Sequence, residues 1–159
     1  MLIFLDVDGV LNYHLRKRPF TDYPGNLART CVGWLYYIIN RTDAKIVISS
    51  SWRSLYDVEG FKKSMISEFK ESAIETHISS KILDSIVGVT INGRKDLPMT
   101  RQDEVDHWMK VNDYKGNFAI LDDHIILFDE NNPDLFITWR EEGLNEMVAH
   151  SVIYHLERQ

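Results

Sequence analysis

The chain has 159 residues, 44% of them hydrophobic, and its 18 Lys and Arg against 24 Asp and Glu give a formal charge of −6. That length fits one domain with a core of its own, since a chain of this size buries roughly two-thirds of its unfolded surface. The charge excludes a fold-wide basic footprint for nonspecific nucleic-acid binding, and the one cysteine, Cys31, excludes an intramolecular disulfide and fits a reducing compartment.

Met1 to Leu5 is apolar but lacks a basic n-region and is cut at Asp6, so it does not read as a signal peptide. No apolar run approaches the ~20 residues of a spanning helix, and the expected location is cytoplasmic, with no membrane partner. Leu2 to Leu5 is a short continuous apolar run, the pattern of a strand buried on both faces, and it ends at Asp6-Val7-Asp8-Gly9. Residues 13–26, with Arg16, Lys17, Arg18, Pro19, Pro24 and Gly25, read as a flap. Leu27, Cys31, Trp34, Leu35, Ile38 and Ile39 recur at helical spacing and predict an amphipathic helix over 27–40.

Lys45 to Ser49 is a second buried strand, with Ser50-Ser51-Trp52-Arg53 at its C-terminal end. Phe61, Met65 and Phe69 predict a helix; the Val, Ile and Thr of Ile82 to Ile91 predict extended structure closed by the Asn92-Gly93 turn. Thr100-Arg101-Gln102-Asp103 reads as a capping box with Asp in place of Glu, opening a helix whose apolar face carries Val105, Trp108 and Met109. Phe118 to Leu121 is a third strand, ending at Asp122-Asp123; Leu135 to Thr138 is a fourth, and Leu144 to Leu156 a closing helix. Strands alternating with helices predict an α/β fold with a mostly parallel, three-layer sheet. Right-handed crossovers bring the C-terminal strand ends to one edge, where Asp6, Ser50 and Asp122 fall.

Carboxylates converging on one point repel each other and resist burial unless paired. A hard cation resolves the conflict, and Mg²⁺ takes one or two carboxylates with waters and phosphate oxygens. Asp6 and Asp122 or Asp123 are therefore candidate Mg²⁺ ligands. With the metal in place Asp6 can approach an anionic phosphoryl group as a nucleophile. Asp8, two residues on, is placed to protonate a leaving oxygen and then deprotonate water. Ser50 is the candidate hydroxyl donor to phosphate, with Ser49 and Ser51 as rivals inside the same run. Arg101 is the candidate phosphate-binding cation, with Lys95 competing for that role. Trp52, Trp108 and Cys31 read as packing residues, and His124 is the histidine that borders the site.

Four segments in this order resemble the motifs of the haloacid dehalogenase (HAD) superfamily of phosphotransferases. They are Leu2-Ile3-Phe4-Leu5-Asp6-Val7-Asp8-Gly9-Val10-Leu11, Ile46-Val47-Ile48-Ser49-Ser50, Arg101, and Ala119-Ile120-Leu121-Asp122-Asp123. Ser-Ser-Trp-Arg, the Trp108 helix and Gly143-Leu144-Asn145 are similar to the small HAD domains of nucleic-acid-repair proteins. The resemblance implies a Rossmann-like core, a phosphoaspartate on Asp6, acid–base work by Asp8, and Mg²⁺ held by Asp6, the Asp8 carbonyl and Asp122-Asp123. It implies phosphate binding by Ser50, Ser51 and Arg101. Residues 54–96 leave room for a small insert only, so the site is open to bulky substrates: a nucleotide, a nucleic-acid end or a phosphoprotein. The basic run Arg16-Lys17-Arg18 sits where it can steer a polyanion. The expected function is Mg²⁺-dependent phosphomonoester hydrolysis. A noncatalytic Mg²⁺- and phosphate-binding module, and phosphoryl transfer to an acceptor other than water, are the alternatives.

Overall fold

The computed structural model describes residues 1–13, 27–52, 57–91 and 99–158. Most of the expected flap, Arg53, the Asn92-Gly93 turn and Lys95 lie outside the described residues. Five strands, β1 (Leu2–Leu5), β2 (Lys45–Ile48), β3 (Ile86–Val89), β4 (Phe118–Asp122) and β5 (Leu135–Ile137), form one sheet in the order β3-β2-β1-β4-β5. Every pairing is parallel. The helices are α1 (Arg29–Thr42), α2 (Val58–Glu71), α3 (Thr76–Ser85), α4 (Arg101–Val111) and α5 (Glu146–Arg158).

The alternation of side chains along each strand builds the layers. Ile3, Leu5, Ile46, Ile48, Ala119 and Leu121 face one core with apolar residues of α1, α2, α3 and α5. Leu2, Phe4, Val47 and Ile120 face the other, where Val105, Trp108 and Met109 of α4 cover them. Phe4 meets Trp108 edge to face, with ring centroids 5.6 Å apart. A strand buried on both faces has to be apolar throughout, which is why β1 is four hydrophobic residues without interruption.

Residues 76–85 correct the sequence reading. Ile82 to Ser85 are helical, and extended structure begins only at Ile86. Ile78 and Ile82 stand one turn apart and pack into the α1-side core, so helical spacing overrides the β-propensity of the run. The connection Asp57–Glu71 starts at a real cap, Asp57 accepting from the Gly60 N–H at 2.7 Å. No helix of the described residues is long and apolar enough to cross a membrane.

Candidate active site

β1 and β4 are nearest neighbours at the sheet's centre, with Leu5 opposite Leu121, so the next residues, Asp6 and Asp122, emerge together. The Asp6 N–H donates to the Leu121 carbonyl at 2.9 Å, which extends the ladder to the first acid. Alternation fixes their side as well: Leu5 and Leu121, which precede them, face the α1 side, so both acids turn to the α4 side, and α4 begins with Arg101. Its guanidinium lies 3.1 Å from Asp122 and 3.5 Å from Asp6, and donates to the Ser49 carbonyl. The capping box that starts α4 holds this geometry, Thr100 and Asp103 exchanging hydrogen bonds between side chain and backbone in both directions.

Asp6, Asp122 and the Asp123 side chain are buried. Burial raises the Asp6 carboxyl above its ordinary range; Arg101, the Ser50 hydroxyl and the Val7 N–H pull it back. Asp122 is pushed up to about 7, first by burial and then by the charge of Asp6, against the opposing pull of Arg101.

Asp8 and Asp123 are held differently. Asp8 accepts from the Trp52 indole N–H at 2.8 Å and from the Asn12 side-chain amide at 2.9 Å. Asn12 also accepts from the Gly9 N–H at 2.8 Å, so one residue sets both the turn and the carboxylate. Gly9 has φ +73°, and a Cβ there would stand 2.5 Å from the Asp123 Cγ. Only glycine permits that approach. Asp123 accepts from the Arg140 Nε at 2.5 Å, while Arg140 Nη2 lies 2.6 Å from His124 Nε2.

The structure therefore places Asp6, Asp8, Arg101, Asp122 and Asp123 at one edge, as the sequence predicts. The Ser50 hydroxyl bonds Asp6. The Ser49 hydroxyl is buried with no hydrogen-bond partner among the described residues, and Ser51 is exposed on the turn that follows. Trp52 does pack against the core, yet its N–H on Asp8 is a site contact that the packing reading misses. Asn12 and Arg140 were also missed. Asn12 has a local signal, a polar side chain three residues past Gly9. Arg140 has none, because its contact depends on β5 lying beside β4. Cys31 is a buried packing residue, its thiol donating to the Glu142 carbonyl at 3.5 Å.

The acids fit a hard divalent cation. One ligand atom from each of Asp6, Asp122, Asp123 and His124 can be chosen so that all lie within 4.8 Å of one another. Asp123 Oδ1 and His124 Nδ1 approach to 2.5 Å, yet both are buried without hydrogen-bond geometry to any partner among the described residues, leaving the pair for a proton or cation to bridge. Four ionised carboxylates against the guanidiniums of Arg101 and Arg140 leave a deficit that one divalent ion balances.

No curated protein and no solved structure matches the chain. The family model of the HAD domain in Swiss Army Knife RNA repair proteins matches residues 2–149. The chain belongs to this family, and the membership supports a HAD-type, phosphoesterase-like function.

Proposed function

We propose that the domain is a Mg²⁺-dependent phosphomonoester hydrolase that works through a phosphoaspartate on Asp6. The observation that carries this reading is the division of labour between two acids of one loop: Asp6 is buried beside Arg101 and Asp122, whereas Asp8 is held by the neutral donors Trp52 and Asn12. A nucleophile needs the first environment and a proton shuttle the second.

Asp6, Asp122, Asp123 and the Asp8 carbonyl would hold Mg²⁺, which when bound screens the negative charge between nucleophile and phosphate. Asp6 attacks phosphorus, and the ester P–O bond breaks as Asp8 protonates the departing alcohol oxygen. Asp8 then takes a proton from water, whose oxygen attacks phosphorus and releases inorganic phosphate and Asp6. Ser50 and Arg101 donate to the non-bridging oxygens, with Ser51 at the exposed edge of the same turn.

The family's description as a domain of RNA repair proteins favours a nucleotide or nucleic-acid end as substrate. The position of Asp8 favours turnover over a passive phosphate-binding module, which has no use for a leaving-group acid. The test is phosphate release from a panel of nucleotides, 3′- and 5′-phosphorylated oligonucleotides and sugar phosphates, with Mg²⁺ or a chelator. Hydrolysis should require Mg²⁺ and vanish in Asp6→Asn. Turnover that persists in that variant removes Asp6 from the mechanism.

A further inference from the structure

Two stretches of chain leave the acid cluster side by side. β4 and β5 pair in parallel, and the Thr138 N–H donates to the Asp122 carbonyl at 3.0 Å, so residues 123–126 and 139–140 emerge as neighbours. Alternation sorts the side chains of the second stretch. Leu135 packs on the α4 side and Phe136 on the α1 side. The same sequence of turns carries Thr138 and Arg140 toward the β1 loop and Asp123, where Thr138 donates to the Gly9 carbonyl at 2.8 Å and Arg140 reaches the carboxylate. The short 3-10 turn Ile125–Leu127 follows the acids on the neighbouring stretch, and its Leu127 joins the α4-side core with Phe128.

Three large apolar side chains on these two stretches remain in water: Ile125 at 62%, Ile126 at 86% and Trp139 at 67% exposure. The backbone beneath them is pinned. The Trp139 carbonyl accepts from the N–H groups of Glu142 at 2.8 Å and Gly143 at 2.7 Å. Gly143, at φ +65°, packs so closely on Cys31 and the Val10 carbonyl that a Cβ would stand 2.7 Å from the sulfur. The indole is thus exposed on a backbone tied to the loop that follows Asp6 and Asp8.

An aromatic face beside a phosphate site stacks a base of any sequence. With a net charge of −6, the chain has no broad electrostatic grip on a polyanion, so affinity for a nucleic-acid end has to come from local groups. Arg140, 53% exposed, supplies a guanidinium one residue from the indole. We propose that Trp139, flanked by Ile125 and Ile126, is a stacking platform for the base of the nucleotide whose phosphate enters the acid cluster. It makes this domain select nucleic-acid ends over small phosphoesters. The inference rests on the phosphomonoesterase reading only for where the phosphate sits.

Binding of fluorescein-labelled trinucleotides with a 3′- or 5′-terminal phosphate, followed by anisotropy with Mg²⁺ in the Asp6→Asn background, tests it. Trp139→Ala should weaken binding about tenfold and Trp139→Phe by less than about threefold. In the otherwise unaltered chain, Trp139→Ala should lower the ratio of kcat/KM for the trinucleotide to that for glycerol phosphate by a similar factor. A Kd that Trp139→Ala leaves unchanged overturns the platform, as does a protein that hydrolyses glycerol phosphate and binds no trinucleotide. Self-association lost in Trp139→Ala, with trinucleotide binding unaffected, reassigns the patch to a second copy of the chain and also overturns it. Trp139-dependent trinucleotide binding by a protein that hydrolyses no phosphoester upholds the platform and removes the hydrolase reading alone.

Discussion

Asp6 and Asp122 lie on the α4 side of the sheet edge, Asp8 and Asp123 on the loops beyond it, and the two pairs are held by different means. The inner pair shares one buried guanidinium, Arg101, whose side chain is 11% exposed. Each outer acid has donors of its own, Trp52 and Asn12 for Asp8, Arg140 for Asp123. The inner pair is therefore short of positive charge in a place that water does not reach, and its burial pushes both carboxyls up. Geometry governs Asp8, through hydrogen bonds whose loss moves a carboxylate without stranding a charge, whereas Asp123 is fully buried against Arg140. The lesson is that removing a partner should destabilise the inner pair most and retune the site at Asp8.

The largest expected effect comes from taking the cation out of the inner pair. Arg101→Ala strands two buried carboxylates and should cost about 3–5 kcal/mol at pH 8. Urea unfolding should show a smaller loss at pH 5, where protonation relieves the repulsion; equal losses at both values would mean that Arg101 is not neutralising these acids.

The pH dependence sharpens the same contrast. Asp122, ordinarily near 3.8, is pushed up to about 7, so the folded chain keeps a proton that the unfolded chain has already lost. Its contribution to stability is full below about pH 4 and is lost as the pH rises toward 7, a fall on the order of a few kcal/mol without metal. Mg²⁺ binds the ionised form, so the gain in Tm on adding it should grow over that window. A gain independent of pH would separate the metal from Asp122.

At the junction of the two pairs, Gly9→Ala imposes a left-handed backbone on alanine, costing about 1–2 kcal/mol. It also drives a methyl group against Asp123. Calorimetry should therefore find weaker Mg²⁺ binding along with the lower Tm, and unchanged metal affinity would show that Asp123 moves aside without consequence.

In the outer half, Trp52→Phe removes one hydrogen bond, for about 1 kcal/mol of stability. It should lower kcat by roughly tenfold or more while leaving KM nearly unchanged. An unaltered kcat would make Trp52 structural only. Arg140→Ala takes the charged donor from the buried Asp123 carboxylate and should cost about 1–2 kcal/mol. Mg²⁺ should bind that variant several-fold more tightly, because Asp123 loses a competing cation, and calorimetry reads the sign directly.

The fold was legible wherever one residue's neighbours are dictated by its own element. Uninterrupted apolar runs identify β1, β2 and β4, the spacing of Cys31, Leu35 and Ile38 identifies α1, and Thr100 with Asp103 marks the start of α4. The edge position of Asp6, Asp8, Arg101 and Asp122-Asp123 followed from strand ends and one helix start. Ile82 to Ser85 escaped because they run straight into the β-branched stretch that starts at Ile86, and the packing of Ile78 and Ile82 into the α1-side core decides where the helix ends.

By itself, then, the sequence determined which segments are buried strands and which acids terminate them, because these depend on hydrophobic patterning over a few residues. The tertiary structure decided which side chains hold those acids. Trp52 meets Asp8 across 44 positions and Thr138 meets Gly9 across 129. Strand order and crossover direction create such contacts, and no local pattern in the chain encodes them.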